Sequence, residues 1–165
     1  MSIYKKLNKY TFLLLTVFIL TSCYSEENWL TDNLEETGRS YPNIADINIL
    51  NNQDQYLEGD VIEIDVSFWS EDPVNEIKLF HILENEDGDE IVGRTEVLSV
   101  SYSEANFSSE TQTDHVVLDY EVPQISEDPT IITFIVEVEN ENGLTENNTE
   151  SKNPTIRNIQ VTAVP

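Results

Sequence analysis

Strict alternation of apolar and polar residues in the stretch 60–68 most constrains how this chain of 165 residues can fold. The stretch reads DVIEIDVSF, and its apolar residues occupy every second position: Ile62, Ile64, Val66 and Phe68. Successive side chains of a β-strand point to opposite faces, so this spacing predicts a strand with one buried and one solvated face. A helix would place Glu63 and Asp65 inside its own apolar stripe.

Six further stretches show the same alternation or a weaker form of it. They cover residues 44–50, 75–83, 90–100, 115–122, 132–140 and 156–164. Turn-forming residues lie between them: Glu58-Gly59-Asp60, Asp72-Pro73, Asp87-Gly88, Asp128-Pro129 and Asn142-Gly143. About seven short strands joined by such turns predict an all-β domain over residues 44–165, with two antiparallel sheets packed face to face.

Three of these stretches carry a family resemblance. EGDVIEIDVSF, EIKLFHI and FIVEVENENGL resemble the B, C and F strands of bacterial immunoglobulin-like and fibronectin-III-like modules. The resemblance implies an immunoglobulin-like antiparallel β-sandwich and implies no active site.

The first 22 residues have the build of a secretory signal peptide. Residues 1–10 contain three lysines and no acid, and residues 11–20 read TFLLLTVFIL. This apolar segment is shorter than the roughly 20 residues that a membrane-spanning helix needs. We therefore expect residues 1–22 to direct export and to be removed.

The only cysteine of the chain follows this leader directly. Leu20-Thr21-Ser22-Cys23 resembles the lipobox of bacterial lipoproteins, in which the cysteine is acylated and becomes the new N-terminus. Several acyl chains are needed for a stable membrane anchor, because one alone binds only marginally. The resemblance implies lipidation at Cys23.

The residues after Cys23 bear on localisation. Tyr24-Ser25-Glu26-Glu27 resembles the acidic signal of surface-exposed lipoproteins of Bacteroidota, which makes Glu26 and Glu27 a candidate export signal; plain linker acidity is the alternative. Residues 23–43 show no sustained period and predict a flexible linker with a reach of about 25 Å. We expect a lipid-anchored protein of the outer membrane that faces the cell exterior.

Charge excludes one class of partner. Past Cys23 only five basic residues remain against all 32 acidic ones, a net charge of −27. Such a surface repels nucleic acids and anionic lipid headgroups. The protein is therefore not expected to bind nucleic acid.

The residue types that carry catalysis are scarce. The two histidines are predicted to be structural or surface residues, with His81 at the margin of a sheet and His115 at the start of a strand. No nucleophile elbow, zinc-protease motif or phosphate-binding loop is present, and we expect neither an enzyme nor a cofactor.

Two features could still bind a ligand. The acidic run 84–90 is either a solvated hairpin or a weak calcium site formed by Asp87, Asp89 and Glu90, since calcium prefers oxygen ligands. Trp69 is predicted to face outward or to end its strand, where it either packs over the rim or offers a platform for a glycan.

A strand that is apolar on both faces raises a separate question. In 75–83, Phe80 and Ile82 lie opposite Ile77 and Leu79, so a loop or a partner must cover the second face; Phe107 is a candidate cover. The function predicted from the sequence is a non-catalytic binding or scaffolding module. The alternatives are a carbohydrate-binding accessory of a polysaccharide-uptake system and a structural subunit that docks on another envelope protein.

Overall fold

Ten β-strands dominate the computed structural model, which describes residues 39–151 and 154–165. They are β1 (Asn43–Ile49), β2 (Tyr56–Leu57), β3 (Val61–Trp69), β4 (Val74–Asn85), β5 (Glu90–Ser101), β6 (Asn106–Ser108), β7 (Thr113–Glu121), β8 (Thr130–Asn140), β9 (Thr145–Asn147) and β10 (Ile159–Val164). Two short 3-10 helices, Tyr102–Glu104 and Asn148–Glu150, and one helix, α1 (Pro154–Arg157), complete the elements. In this part of the chain no helix is long and apolar enough to cross a bilayer.

The strands form two sheets. The four-stranded sheet has the order β1-β3-β7-β6. The six-stranded sheet has the order β2-β10-β8-β4-β5, and β9 pairs with β8. All pairings are antiparallel except that of β10 with β2.

One hydrophobic core joins the inner faces of both sheets. Strands β3 and β7 contribute buried residues from the four-stranded sheet, and β4 and β8 contribute them from the six-stranded sheet. Tyr120 of β7 meets Phe134 of β8 edge to face, with ring centroids 4.9 Å apart. Burial on one face of each strand follows the period of two in the sequence, because alternate side chains point the same way.

The all-β class is confirmed, whereas the predicted number of strands is wrong. The seven predicted strands are present, with the last one beginning at Ile159 after α1 rather than at residue 156. The three additional strands, β2, β6 and β9, have two or three residues each. Such short segments contain too few alternating positions to produce a periodic signal. An immunoglobulin-like seven-stranded sandwich is not confirmed.

A buried asparagine bridges a break along one side of β8. There β9 pairs with Glu137–Glu139 and β10 with Thr130–Phe134. Between them, Val136 N donates to Asn148 Oδ1 at 2.9 Å, and Asn148 Nδ2 donates to the carbonyl oxygens of Phe134 and Ile156 at 3.3 and 2.9 Å. Asn148 is fully buried and supplies the hydrogen bonds that a continuous strand would make.

Residues just before β1 are tied to the domain. Ser40 N donates to Asp72 Oδ2 at 2.8 Å, and Asn140 Nδ2 donates to the carbonyl oxygen of Ser40 at 2.7 Å. The last residues of the predicted linker 23–43 therefore contact the β3–β4 loop and the end of β8. The chain enters the domain at this end, which we call the entry end and which also holds Trp69.

Candidate functional site

The outer face of the four-stranded sheet brings together most of the polar residues of interest. On β3 the outward positions include Glu63, Asp65, Ser67 and Trp69, because the residues between them are buried. On β7 the outward positions are Thr113, His115, Val117, Asp119 and Glu121. The register pairs Ser67 with His115 and Glu63 with Asp119. This face divides into two halves of different chemistry.

The half near the entry end centres on an imidazole. Asp65, Ser67, Thr111, Thr113 and His115 form what we call the His115 cluster. Ser67 Oγ lies 3.0 Å from His115 Nδ1, and Asp65 Oδ2 lies 3.4 Å from the same nitrogen. Thr113 Oγ1 and Thr111 Oγ1 lie 3.0 and 3.2 Å from Nε2. His115, predicted to open a strand, is the third residue of β7, next to Asp114, and its surroundings include three hydroxyls.

This cluster differs from a hydrolytic triad. In such triads the nucleophilic hydroxyl and the orienting carboxylate contact opposite nitrogens of the imidazole. Here Ser67, and not Asp65, is the closer partner of Nδ1. The hydroxyls of Thr111 and Thr113 on Nε2 also lie 2.6 Å from each other. The cluster is a hydrogen-bonded network in which Ser67 and Thr113 are buried and Asp65 and His115 are half-buried, and we assign no catalytic step to it.

Trp69 lies beside this cluster. It ends β3, pairs with Asn43 of β1, and leaves 44% of its surface exposed. Since Phe68 pairs with Asp114, the antiparallel register places Trp69 next to Thr113 on the outer face. The outward orientation and strand-end position predicted for Trp69 are both observed. An exposed indole beside hydroxyl, imidazole and carboxylate groups offers one flat apolar surface and several hydrogen-bonding partners.

The half far from the entry end carries exposed aliphatic residues and carboxylates that form no ion pair with any lysine or arginine of residues 39–151 and 154–165. Glu63 and Asp119 lie directly opposite each other, and Val61 pairs with Glu121. Leu50 N donates to Glu63 O at 2.9 Å, which continues the register of β1 and places Leu50 beside Glu63. We call this surface the carboxylate face; it consists of Leu50, Val61, Glu63, Val117, Asp119 and Glu121.

The outer face of the six-stranded sheet has its charges paired. Lys78 Nζ lies 2.8 Å from Glu76 Oε1 and 2.7 Å from Glu139 Oε2. Hydrogen bonds to Glu139 and Glu76 hold the pKa of Lys78 well above its usual value, and the bond to Lys78 lowers the pKa of Glu76. Arg94 is bonded to Glu137 at 3.0 Å.

Arg94 also covers Phe80, the apolar residue on the outer face of β4 for which the sequence did not establish a cover. Its guanidinium carbon lies 4.1 Å from the centroid of the Phe80 ring, a cation–π contact. The suggestion that Phe107 covers this face is wrong. Phe107 belongs to β6 at the edge of the other sheet, and 64% of its surface is exposed. The residue pattern of a single strand does not indicate which residue of a neighbouring strand will cover it.

The prediction that His81 sits at a sheet margin is also wrong. His81 lies on the inner face of β4, between β5 and β8, and is buried. Its Nδ1 lies 2.7 Å from Tyr120 Oη, and burial lowers the pKa of His81 and raises that of Tyr120. A polar pair in the core satisfies both groups, which explains how an imidazole can occupy this position.

The acidic turn between β4 and β5 forms a hairpin with Gly88 at φ +84°. Asn85 organises it, since Asp89 N donates to Asn85 Oδ1 at 2.8 Å. Across residues 39–151 and 154–165, no three acidic, histidine or cysteine side chains converge as metal ligands would. Asp87, Asp89 and Glu90 are thus not gathered around a common centre. Cys23, Glu26 and Glu27 lie outside the described residues.

Salt and calcium should affect stability differently. A net charge of −27 past Cys23 implies self-repulsion, so we expect the melting temperature to rise by several degrees between about 10 and about 300 mM NaCl. Calcium chloride of matched ionic strength should give no additional rise. A bound calcium ion at about 100 times its Kd would raise the free energy of unfolding by about 2.7 kcal/mol. Such a gain, if it were lost in the variant Asp87→Asn with Asp89→Asn, would contradict this expectation. Thermal melts monitored by circular dichroism measure both effects.

Comparisons with known proteins are distant. No family model matches the sequence, and no curated protein matches it. Three solved structures are similar to 76% of the chain. The sporulation control protein Spo0M from Bacillus subtilis has a TM-score of 0.43 at 9% identity, and the chain spans 50% of its length. A Niemann-Pick type C2 protein from the Japanese carpenter ant has a TM-score of 0.43 at 8% identity over 93% of its length. A conjugative transposon lipoprotein from Bacteroides eggerthii has a TM-score of 0.32 at 11% identity over 96% of its length. At TM-scores this low, these similarities carry no argument about family or function.

Proposed function

We propose that this chain is an outer-membrane lipoprotein, anchored through Cys23 and exposed at the cell surface, whose β-domain is a non-catalytic binding or scaffolding module. The observation that carries the binding role is the contrast between the two outer faces. The six-stranded sheet pairs Lys78 and Arg94 with neighbouring carboxylates. The four-stranded sheet leaves carboxylates, aliphatic residues and Trp69 exposed, and within the described part of the chain no lysine or arginine pairs with these carboxylates.

The proposal includes an immunoglobulin-like arrangement of the strands. The order β1-β3-β7-β6 corresponds to the A-B-E-D sheet of that fold, and β10-β8-β4 corresponds to G-F-C. On this assignment β5 is an additional strand beside C, as in variable-type domains. The stretches that resemble strands B, C and F fall on β3, β4 and β8, which supports the assignment.

Anchoring and orientation are tested in cells that produce the protein. Cys23→Ala should abolish incorporation of radioactive fatty acid, because the acyl chains depend on that thiol. Replacing Glu26 and Glu27 with alanine should protect the protein from protease added to intact cells without changing its amount. Equal fatty-acid label in wild type and Cys23→Ala would exclude lipidation at this residue. Unchanged proteolysis would show that Glu26 and Glu27 are linker residues and not an export signal.

A second candidate function is recognition of neutral carbohydrate at Trp69. The observation that favours it is the position of the exposed indole beside the His115 cluster, since a sugar ring presents both an apolar face and hydroxyl groups. Anionic glycans are disfavoured, because acidic residues dominate the surface.

A glycan array probed with the full-length protein in detergent tests this candidate. Trp69→Ala should remove any binding seen with wild type, since the stacking surface is lost. Phe107→Ala is the matched control, because it removes another exposed aromatic side chain from the same sheet. Binding that survives Trp69→Ala, or no binding to any neutral glycan, would exclude a carbohydrate site at this position.

A further inference from the structure

We infer that the carboxylate face docks a protein segment rich in lysine and arginine, with short aliphatic side chains between its cations. The inference rests on the proposed binding role, and it adds which kind of partner one particular surface would bind. The surface lies on the half of the four-stranded sheet far from the entry end, where Val61 pairs with Glu121 and Glu63 with Asp119.

Charge is the first reason. No residue of β1, β3, β6 or β7 is a lysine or arginine. Glu63 and Asp119 are directly opposite each other in the register, an arrangement that destabilises antiparallel strands. On the other sheet, by contrast, Lys78 bridges Glu76 and Glu139. A cationic segment laid across Glu63 and Asp119 would turn their mutual repulsion into attraction to the partner.

Exposed aliphatic surface is the second reason. Leu50, Val61 and Val117 have 55%, 46% and 48% of their surface exposed, and all three lie among the carboxylates of this face. Asn51 fixes the local backbone, since its amide donates to Val61 O at 2.7 Å and accepts from Glu63 N at 3.0 Å. A face that combines exposed apolar side chains with charges of one sign suits a partner of opposite charge.

The same features disfavour other occupants. A second copy of the chain would bring carboxylates against carboxylates, which costs several kcal/mol in general for like charges at an interface. Nucleic acids and anionic glycans are repelled for the same reason. A metal ion is disfavoured, because within residues 39–151 and 154–165 no three potential ligands converge.

Site-specific photo-crosslinking in producing cells tests the inference with the full chain. A photoreactive amino acid is placed at Val117 on the carboxylate face and, as a control, at Gln160, which is exposed on the outer face of the six-stranded sheet. The expected result is an adduct from Val117 only, in which mass spectrometry maps the cross-linked peptide to a segment of another protein rich in lysine and arginine.

Charge variants make the test specific. Glu63→Gln with Asp119→Asn should lower the yield of the Val117 adduct about tenfold, corresponding to about 1.4 kcal/mol. The matched control, Glu137→Gln with Glu139→Gln, removes the same charge from the other sheet and should leave the yield unchanged. An adduct with a second copy, with a glycan or with an acidic segment, or no adduct, would overturn the inference. Fatty-acid labelling and protease sensitivity of the same cells report separately whether the anchored, exposed lipoprotein is present.

A stability measurement tests the premise about charge. Because the opposed pair is repulsive, Glu63→Gln with Asp119→Asn should raise the melting temperature of the isolated protein by about 3 °C at low ionic strength. The control pair, Glu137→Gln with Glu139→Gln, should lower it, since Arg94 loses the carboxylate of Glu137 and Lys78 loses one of its two carboxylate partners. A fall in melting temperature for the Glu63 and Asp119 variant would show that no unfavourable pair exists for a partner to relieve.

Discussion

Replacing Asn148 with alanine is expected to lower the free energy of unfolding by about 4 kcal/mol. The side chain satisfies three buried backbone groups, the N–H of Val136 and the carbonyl oxygens of Phe134 and Ile156. Each buried group left without a partner costs about 1–3 kcal/mol. Domains are typically stable by only about 5–15 kcal/mol, so this one change removes a large share of the total.

Urea denaturation with a matched control measures the effect. Asn52→Ala removes the same amide from an exposed position and should change stability by less than about 0.5 kcal/mol. Asn148→Asp should also destabilise the protein, because a carboxylate cannot donate to the carbonyls of Phe134 and Ile156. A loss below about 1 kcal/mol for Asn148→Ala would mean that water replaces the amide and that the bridge along β8 contributes little.

The buried pair of His81 and Tyr120 should make the protein lose stability at both ends of the pH range. Burial lowers the pKa of His81 below its usual 6.5, so below that pH the unfolded chain binds more protons than the folded one. Burial raises the pKa of Tyr120 above its usual 10.0, so above that pH the unfolded chain binds fewer protons. We therefore expect the free energy of unfolding to fall by up to about 1.4 kcal/mol per pH unit below pH 6.5 and above pH 10.

Two variants separate the acid and alkaline effects. His81→Gln keeps a hydrogen-bonding side chain beside Tyr120 but cannot take up a proton, so it should flatten the loss between about pH 6.5 and about pH 5.5. Tyr120→Phe should reduce the alkaline loss and leave the acid loss in place. Tyr102 and Lys78 also contribute to the alkaline loss, because the pKa of each is raised in the folded protein: that of Tyr102 by burial and a hydrogen bond to Asp114, and that of Lys78 by hydrogen bonds to Glu139 and Glu76. Identical acid profiles for wild type and His81→Gln would contradict the role given to this imidazole.

The sequence predicts those parts of the fold that depend only on the residue pattern within a single strand or turn. Alternation in 60–68 gives β3 and its buried face, because the period of two is a property of a single strand. The turns at Gly59 and Gly88 follow equally, since both residues adopt positive φ, where glycine carries no steric cost. Trp69 could be placed outward by counting from Phe68.

Contacts between strands could not be predicted from the residue pattern of each strand alone. His81 shares the spacing of Leu79, yet only the packing of β4 against β7 shows that Tyr120 accommodates it in the core. The His115 cluster needs the register that pairs Ser67 with His115, which no pattern within either strand specifies. Asn148 stands in the stretch ENNTE, where nothing distinguishes it from Asn147 until the break between β9 and β10 is seen.

The bonds that hold Ser40 have a mechanical consequence. β1 begins at the entry end and runs away from it, antiparallel to β3. A pull on the residues preceding Arg39, resisted by a ligand held on the domain, would therefore act along β1 rather than across it. The ladder between β1 and β3 would be loaded in shear, so that its hydrogen bonds share the force instead of opening one after another. The contacts of Ser40 with Asp72 and Asn140 would bear this load first and shield the end of the ladder.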